Sequence, residues 1–300
     1  MDKAGIIILN YNGYEDTINC VKSLSVIRYP SLIIVIDNCS SNNDYYKLKE
    51  NLPAEVVLLR TDKNLGYAGG NNVGLKYAVK EGCSFLCILN NDTIVEEDFL
   101  TLCIEELIQD KNIGFIGPTL LDYETGLVQS TGGDIFIGKG KVTQKNNGCK
   151  ASLLPKYIDC DYIGGACIVL RKDILNEIGY IPESYFLFFE ETEWCYHAEK
   201  LRYHNICLGN TNIIHKGSES INKIEGLANY LFYRNKIAFI RRNCENKLQA
   251  FIIYLALLIK NFLLVPRYHN VSLERALACC DGWNKKVNLK KYPFIIINES

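Results

Sequence analysis

Short apolar runs alternate with amphipathic stretches through the first 120 residues, and that alternation leaves few folds open to the chain. The runs fall at 6–9, 32–36, 56–59, 85–89 and 113–116. Runs this short, bounded by polar residues, read as strands buried on both faces, the pattern of a mostly parallel sheet. Helices are expected between them. In 14–25, Ile18, Val21 and Leu24 recur on one face ahead of Pro30. A second helix is expected over 71–81, closed by Gly82. A third is expected over 96–109, where Glu96, Glu97 and Asp98 suit the positive end of the helix dipole. The predicted class is α/β, a Rossmann-like mixed sheet flanked by helices.

The residues just beyond each strand point to a ligand site, because open α/β sheets bind ligands past the carboxyl ends of their strands. The ends read Asn10-Tyr11-Asn12, Asp37-Asn38 and Asn90-Asn91-Asp92, and the third run leads into Asn64-Leu65-Gly66-Tyr67-Ala68-Gly69-Gly70-Asn71-Asn72. A glycine-rich loop entering a helix presents free N–H groups to phosphate oxygens. Alone it could equally be a tight turn, but its place among the other polar ends favours the ligand. The first strand lacks Gly-x-Gly-x-x-Gly and no Gly-x-x-x-x-Gly-Lys-Ser/Thr occurs, which argues against dinucleotide Rossmann domains and P-loop ATPases.

The 300 residues carry a net charge of -1, and that figure conceals two opposed regions. Residues 226–300 hold 12 Lys+Arg against 4 Asp+Glu, whereas the preceding chain holds 21 against 30. Such a division does not suit nucleic-acid binding by the whole chain. Thirteen cysteines, an odd number mostly set in apolar runs without zinc spacing, read as buried thiols in a reducing cytoplasm. The apolar run after Met1 is too short for a signal peptide. Sequons at Asn38, Asn91, Asn270 and Asn298 fit a chain that meets no glycosylation machinery, since two fall among the polar strand ends.

Taken in order, segments 7–13, 36–40, 64–72, 89–93 and 188–193, with His215 after them within 213–218, resemble the inverting glycosyltransferases of family 2, in particular a bacterial rhamnosyltransferase-like branch. The resemblance covers about residues 4–245 and implies the GT-A fold. It implies that Asn10, Tyr11, Asn12, Asp37, Asn38, Asn64, Gly66, Gly69, Gly70, Asn71, Asn90 and Asn91 bind the nucleotide sugar, and that Asp92 and His215 hold Mg2+ or Mn2+. The physical reason for a cation is the concentrated charge of a nucleoside diphosphate leaving group. The family's Asp-x-Asp reads here Asn90-Asn91-Asp92, so one carboxylate is an amide. Asp92 could instead cap the helix beginning near Glu96, His215 could be structural, and Asp37-Asn38 could be a turn.

The family's Glu-Asp-x-Asp aligns with Glu190, Glu191 and Glu193, which makes Glu191 the base that deprotonates the acceptor hydroxyl, with Glu190 able to exchange roles. Carboxylates after the aromatic run 185–189 are placed to have raised pKa values. They also suit the first turn of a helix ending near Lys200, and both readings can hold together. Gly164 and Gly165, in a strand expected at 161–167, and Glu193 and Trp194 fall on the acceptor side by the same resemblance.

From Gly226 a helical, basic region is expected, so residues 1–225 form the catalytic domain and 226–300 an extension. Its longest apolar run, 250–259, is too short to span a bilayer. Bounded by Arg241, Arg242, Lys247, Lys260 and Arg267, with Trp283, Lys285, Lys286, Lys290 and Lys291 beyond, it suits an anionic membrane surface. Packing on the catalytic domain or in a homodimer is the alternative. The expected activity moves a sugar from a UDP- or dTDP-sugar, dTDP-rhamnose by the branch resembled, to a lipid-linked or cell-surface polysaccharide acceptor. Two alternatives remain: a non-catalytic sugar-nucleotide-binding homologue, and a nucleotidyltransferase, for which the expected Gly-rich basic loop after the first strand is missing.

Overall fold

The computed structural model describes residues 2–217, 226–264, 269–288, 290–292 and 295; Ser218, Arg267 and Asn298 lie outside the described residues. The elements are β1 Ala4–Asn10, α1 Tyr14–Ser23, β2 Ser31–Asp37, α2 Asp44–Asn51, β3 Val57–Arg60, α3 Gly66–Lys80, β4 Phe85–Asn90, β5 Thr93–Ile94, α4 Phe99–Gln109 and β6 Ile113–Asp122. Next come β7 Val128–Ser130, β8 Gly133–Phe136, β9 Lys141–Gln144, β10 Tyr157–Cys160, β11 Cys167–Arg171, α5 Leu175–Ile178, α6 Glu190–Lys200 and β12 His204–His215. Among the described residues three further helices follow: α7 Leu227–Asn243, α8 Lys247–Leu263 and α9 His269–Trp283.

Ten strands form one mixed sheet in the order β10-β12-β6-β11-β4-β1-β2-β3, with β5 on β12 and β7 on β6. The pairs β1–β2, β1–β4, β2–β3 and β6–β12 are parallel, and β11 runs antiparallel to both neighbours. The alternation of side chains along β1 explains why it reads as unbroken apolar sequence. Ile6 and Ile8 point into a core shared with α1 and α4, and Ile7 into the core shared with α3 and α6.

Several boundaries differ from the sequence expectation. Helix α4 starts at Phe99, not Glu96, because the Asp98 side chain caps it by accepting from the Thr101 N–H. Glu97 instead accepts from Thr211 and the Asn212 N–H of β12, and β5 intervenes between Asp92 and the helix, so Asp92 is no cap. Residues 161–166 connect β10 to β11 and do not form a strand. All thirteen cysteines are free, ten of them buried.

Helices α7, α8 and α9 pack on the segment 185–189 that leads into α6. Tyr185 and Phe189 share one core with Ile237, Phe239 and Tyr254, and Phe186 shares another with Leu227, Tyr230 and Leu231. Among the described residues no helix is long and apolar enough to cross a membrane.

Candidate active site

Parallel pairing sets the strand ends side by side: Asn10 opposes Asp37 across β1–β2, and Leu9 opposes Asn90 across β1–β4. The Asp37 carboxylate is fully buried and occupied internally. Its Oδ1 accepts from Asn10 Nδ2 at 3.0 Å, and its Oδ2 from the Ser40 N–H at 3.3 Å and Arg60 Nε at 3.3 Å. A buried charge so paired is stable where an unpaired one would not be. Asn38, 2% exposed, bonds Asn64, Thr61, the Leu65 N–H and the Gly66 carbonyl. Asn10, Asp37, Asn38 and Asn71 thus form a buried frame, and Tyr11, Asn12, Asn64, Asn90 and Asn91 retain solvent contact around it.

The glycine-rich segment is not the open loop that the sequence suggests; helix α3 begins within it, at Gly66. Its first N–H groups are already used, Gly66 donating to Asn64 Oδ1 at 2.9 Å and Tyr67 to the Phe186 carbonyl at 2.8 Å. The glycines serve close packing. A Cβ at Gly70 would stand 2.4 Å from Leu9, and one at Gly74 2.4 Å from Ile7, so the helix lies directly on the sheet. At Gly66, with φ +70°, a Cβ would meet the Phe186 carbonyl oxygen at 2.3 Å.

Glu190 and Glu191 open α6, where the dipole favours acids. The chain enters this helix through Phe186, Phe188 and Phe189, with φ of 69°, 70° and 77°. A left-handed conformation costs a non-glycine residue about 1–2 kcal/mol, so three aromatic residues there mark a strained lead-in. Burial, and then the charge of Glu191, push the Glu190 carboxyl well above the usual carboxylate range. Burial raises Glu191 to about 7. Tyr67, its hydroxyl donating to the Gly165 carbonyl at 2.5 Å, is held protonated by burial and by both glutamates.

These groups line a cavity of about 570 Å3 that also takes in Asn90, Gln129, Tyr162, Gly164, His215 and Phe232. At its edge Asp92 Oδ1 and His215 Nε2 stand 3.3 Å apart. Both atoms are buried, and neither has an aligned hydrogen bond. On the other side of the ring, His215 Nδ1 and Gln129 Oε1 are 2.6 Å apart, which makes Nδ1 the protonated nitrogen. Nε2 faces the Asp92 carboxylate oxygen, a contact that either a proton on Nε2 or a cation between the two atoms would satisfy. Their 3.3 Å spacing is close to the edge of about 3.0 Å expected for octahedral ligands near 2.1 Å from a small divalent ion. The pair fits such a cation. Among the described residues no third His, Cys, Asp or Glu joins it.

The structure therefore gathers Glu190, Glu191, Asn90, Gly164, Gly165 and His215 around one cavity, with Asp92 against His215. Glu193 and Trp194 do not face it. Glu193, 1% exposed, accepts from Asn243 and pairs with Arg242, and the Trp194 indole is in the core, donating to the Gly179 carbonyl. Gln129, Tyr67, Tyr162 and Phe232 are cavity residues that the motifs did not single out. Tyr67 lies inside the glycine-rich segment and could have been found there; Gln129, on the short β7, carries no sequence signal.

The family described as Glycosyl transferase family 2 matches residues 5–179. A low-salt glycan biosynthesis hexosyltransferase of Haloferax volcanii is 29% identical over 219 residues, covering 71% of this chain and 66% of the relative. A dTDP-rhamnosyl transferase of Shigella flexneri is 21% identical over 197 residues, covering 63% of this chain and 60% of the relative. The chain thus spans somewhat less than two thirds of the lengths of these relatives. The crystal structure of GalNAc-T7 with UDP, GalNAc and Mn2+ superposes with a TM-score of 0.65 at 13% identity, covering 99% of this chain and 59% of that one. At that identity the likeness speaks for the GT-A fold.

Proposed function

The chain belongs to glycosyl transferase family 2, and from that premise we propose that it is an inverting glycosyltransferase using a UDP- or dTDP-sugar, with Glu191 as its base. The observation that carries this reading is the single cavity shared by the Glu190–Glu191 pair and His215. A catalytic base works best with a pKa near the operating pH, and Glu191 at about 7 meets that condition. Its carboxylate takes the proton of the acceptor hydroxyl as that oxygen attacks the anomeric carbon, and the bond to the diphosphate breaks on the opposite face. Tyr67, kept protonated, fixes the Gly165 carbonyl beside Glu191 and orients the wall that faces the sugar.

The solvent-facing strand ends, Tyr11, Asn12, Asn64, Asn90 and Asn91, would contact the nucleotide, while Asn10, Asp37 and Asn38 hold those ends in place. Asp92 and His215 would hold a divalent cation. GalNAc-T7 was solved with UDP and Mn2+, and a nitrogen ligand suits Mn2+ better than Mg2+, which strongly prefers oxygen. When bound, the ion would neutralise charge on the departing diphosphate.

For the acceptor we propose a lipid-linked glycan at the cytoplasmic membrane face; the catalytic unit expected at 1–225 is extended here to α7, whose Phe232 lines the cavity. Helix α8 supports it. Leu248, Ile252, Ile259, Phe262 and Leu263 on its outer face are 51–75% exposed, while Ala250, Tyr254 and Asn261 face inward. Lys247 and Lys260 sit at its two ends. Gln249 donates to the Gly138 carbonyl, so α8 lies beside the β8–β9 hairpin, whose Val142 and Gln144 line the cavity. A second copy docked on this face would bring two basic regions together, which disfavours a homodimer here.

The test is nucleoside diphosphate release from a panel of UDP- and dTDP-sugars with Mn2+ or Mg2+. Transfer should vanish in Glu191→Gln and Asp92→Ala; activity untouched by both changes refutes the reading. Asn90, where the family has a carboxylate, favours one rival, a donor-binding homologue without catalysis. Nucleotide binding without turnover in the same assay would establish it.

A further inference from the structure

The strained lead-in to the carboxylate pair needs a restraint, and helix α7 supplies it. Asn235, fully buried, holds its amide nitrogen within hydrogen-bond distance of the carbonyls of Tyr185 at 3.0 Å, Leu187 at 2.7 Å and Phe188 at 3.0 Å, so that its two N–H groups serve three acceptors, one of them shared. Its Oδ1 accepts from Arg234 Nη1 at 2.9 Å, and the same guanidinium nitrogen donates to the Ser184 carbonyl at 2.9 Å. Arg234 is itself fully buried and also donates to the Lys286 carbonyl. Three carbonyls of one turn are thus drawn toward a single amide, which obliges the backbone between them to fold back on itself. That is the stretch in which Phe186 and Phe188 take positive φ.

Two turns along the same helix, Arg242 Nε reaches Glu193 Oε1 at 3.2 Å and Asn243 donates to it at 2.5 Å. The Glu190–Glu191 pair is therefore held on both sides by α7, upstream through Ser184–Phe188 and downstream through Glu193. From the opposite side, Tyr67 donates to the Phe186 carbonyl. Resting on the reading of Glu191 as the base, we propose that Asn235, oriented by Arg234, is a positioning residue that fixes the turn aiming Glu191 into the cavity. Helix α7 is in this sense part of the active site, although the family match ends at residue 179.

The experiment compares wild type with Asn235→Ala and Asn235→Ser, using whichever UDP- or dTDP-hexose the wild type consumes with Mn2+. Misplacing a catalytic group by about 1 Å costs on the order of 100-fold, so Asn235→Ala should lose roughly 10- to 100-fold in kcat. Asn235→Ser, which keeps one donor, should fall between. Donor KM should stay near wild type, since the nucleotide frame on β1, β2 and β4 is not touched. The acid limb of the kcat profile, expected at about pH 7 from Glu191, should move toward about pH 5 as a loosened turn admits water. Hydrogen exchange reads the clamp without substrate: amides in 184–191 should exchange at least about tenfold faster in Asn235→Ala while those of β1 and β4 stay protected. Wild-type kcat with an unmoved acid limb, or unchanged exchange in 184–191, overturns the proposal. If Asn235→Ala fails to bind donor, Asn235→Ser decides by the same criteria. Glu191→Gln run alongside separates the two readings. Activity kept there sinks the base assignment, whereas normal Asn235 variants beside a dead Glu191→Gln sink only the clamp.

Discussion

Replacing Glu191 by Gln should abolish transfer and at the same time stabilise the fold in alkaline solution. Burial raises the folded-state pKa of Glu191 from 4.5 to about 7, so the folded chain holds that proton more tightly than the unfolded chain. A group with a raised folded pKa contributes its stability in full below the unfolded value and loses it as pH climbs through the folded value. For Glu191 the loss therefore runs from about pH 4.5 to a little above pH 7. At 1.36 kcal/mol per pH unit the interval amounts to about 3 kcal/mol, an upper figure because Glu191 keeps some contact with water. Gln matches the protonated acid in shape and has nothing to ionise. Urea unfolding at pH 5, 6, 7 and 8 should then give wild type and Glu191→Gln similar stabilities at pH 5. By pH 8 a gap should have opened in favour of the variant, approaching 3 kcal/mol. Glu190 remains in both proteins, so the gap isolates Glu191, apart from the relief that Glu190 feels when its charged neighbour is gone. Parallel stability curves for the two proteins, or a variant less stable at pH 8, would refute the reasoning that a desolvated carboxylate sits in this cavity.

Gly66→Ala should destabilise the fold by about 2–4 kcal/mol, from a left-handed backbone and a Cβ 2.3 Å from the Phe186 carbonyl oxygen; thermal unfolding of the variant checks it. Asp92→Ala should leave nucleoside diphosphate binding indifferent to Mn2+, measured by calorimetry with and without EDTA, whereas the wild type should bind at least about tenfold tighter with the ion. The double change Ile252→Glu and Ile259→Glu on the exposed face of α8 should weaken binding to vesicles of anionic phospholipid at least about tenfold, read by co-sedimentation, with hydrolysis of soluble donor unaffected.

The sheet was legible because β1 and β4 are buried on both faces and β2 over its second half, so they appear as uninterrupted apolar runs with polar ends; the edge strand β3 is only half-buried, but its Val57, Leu58 and Leu59 still read as one short apolar run. The start of α3 was not. Three glycines carry a helix penalty of roughly 1 kcal/mol each, and local propensity alone reads them as loop. Contact of Gly70 with Leu9, of Gly74 with Ile7 and of Gly66 with Phe186, residues far away in the sequence, reverses that preference, since a Cβ at any of these positions would collide with its neighbour. The same distance in sequence hid Asn235. Its partners are backbone carbonyls 47 to 50 residues upstream, and a carbonyl leaves no mark on the sequence. Glu190 and Glu191 could be found by motif order, but the strain that leads into them could not.

The charge asymmetry of the chain also changes meaning once its partners are known. Arg234 and Arg242 add to the positive balance of the sequence, yet both are directed inward, toward the Ser184 and Lys286 carbonyls and toward Glu193. Lys247 caps the end of α7 by donating to the carbonyls of Arg241, Arg242 and Cys244, and Lys291 pairs with Glu274. A third of the region's basic residues thus have partners within the chain, two of them directed inward, which weakens the argument from net charge for a lipid surface. The apolar face of α8 gains weight in its place, because burying its exposed side chains at about 25 cal/mol per Å2 does not depend on counting charges. Vesicle binding driven mainly by that face should persist when salt is raised to screen the lysines, whereas binding driven by the basic count should collapse.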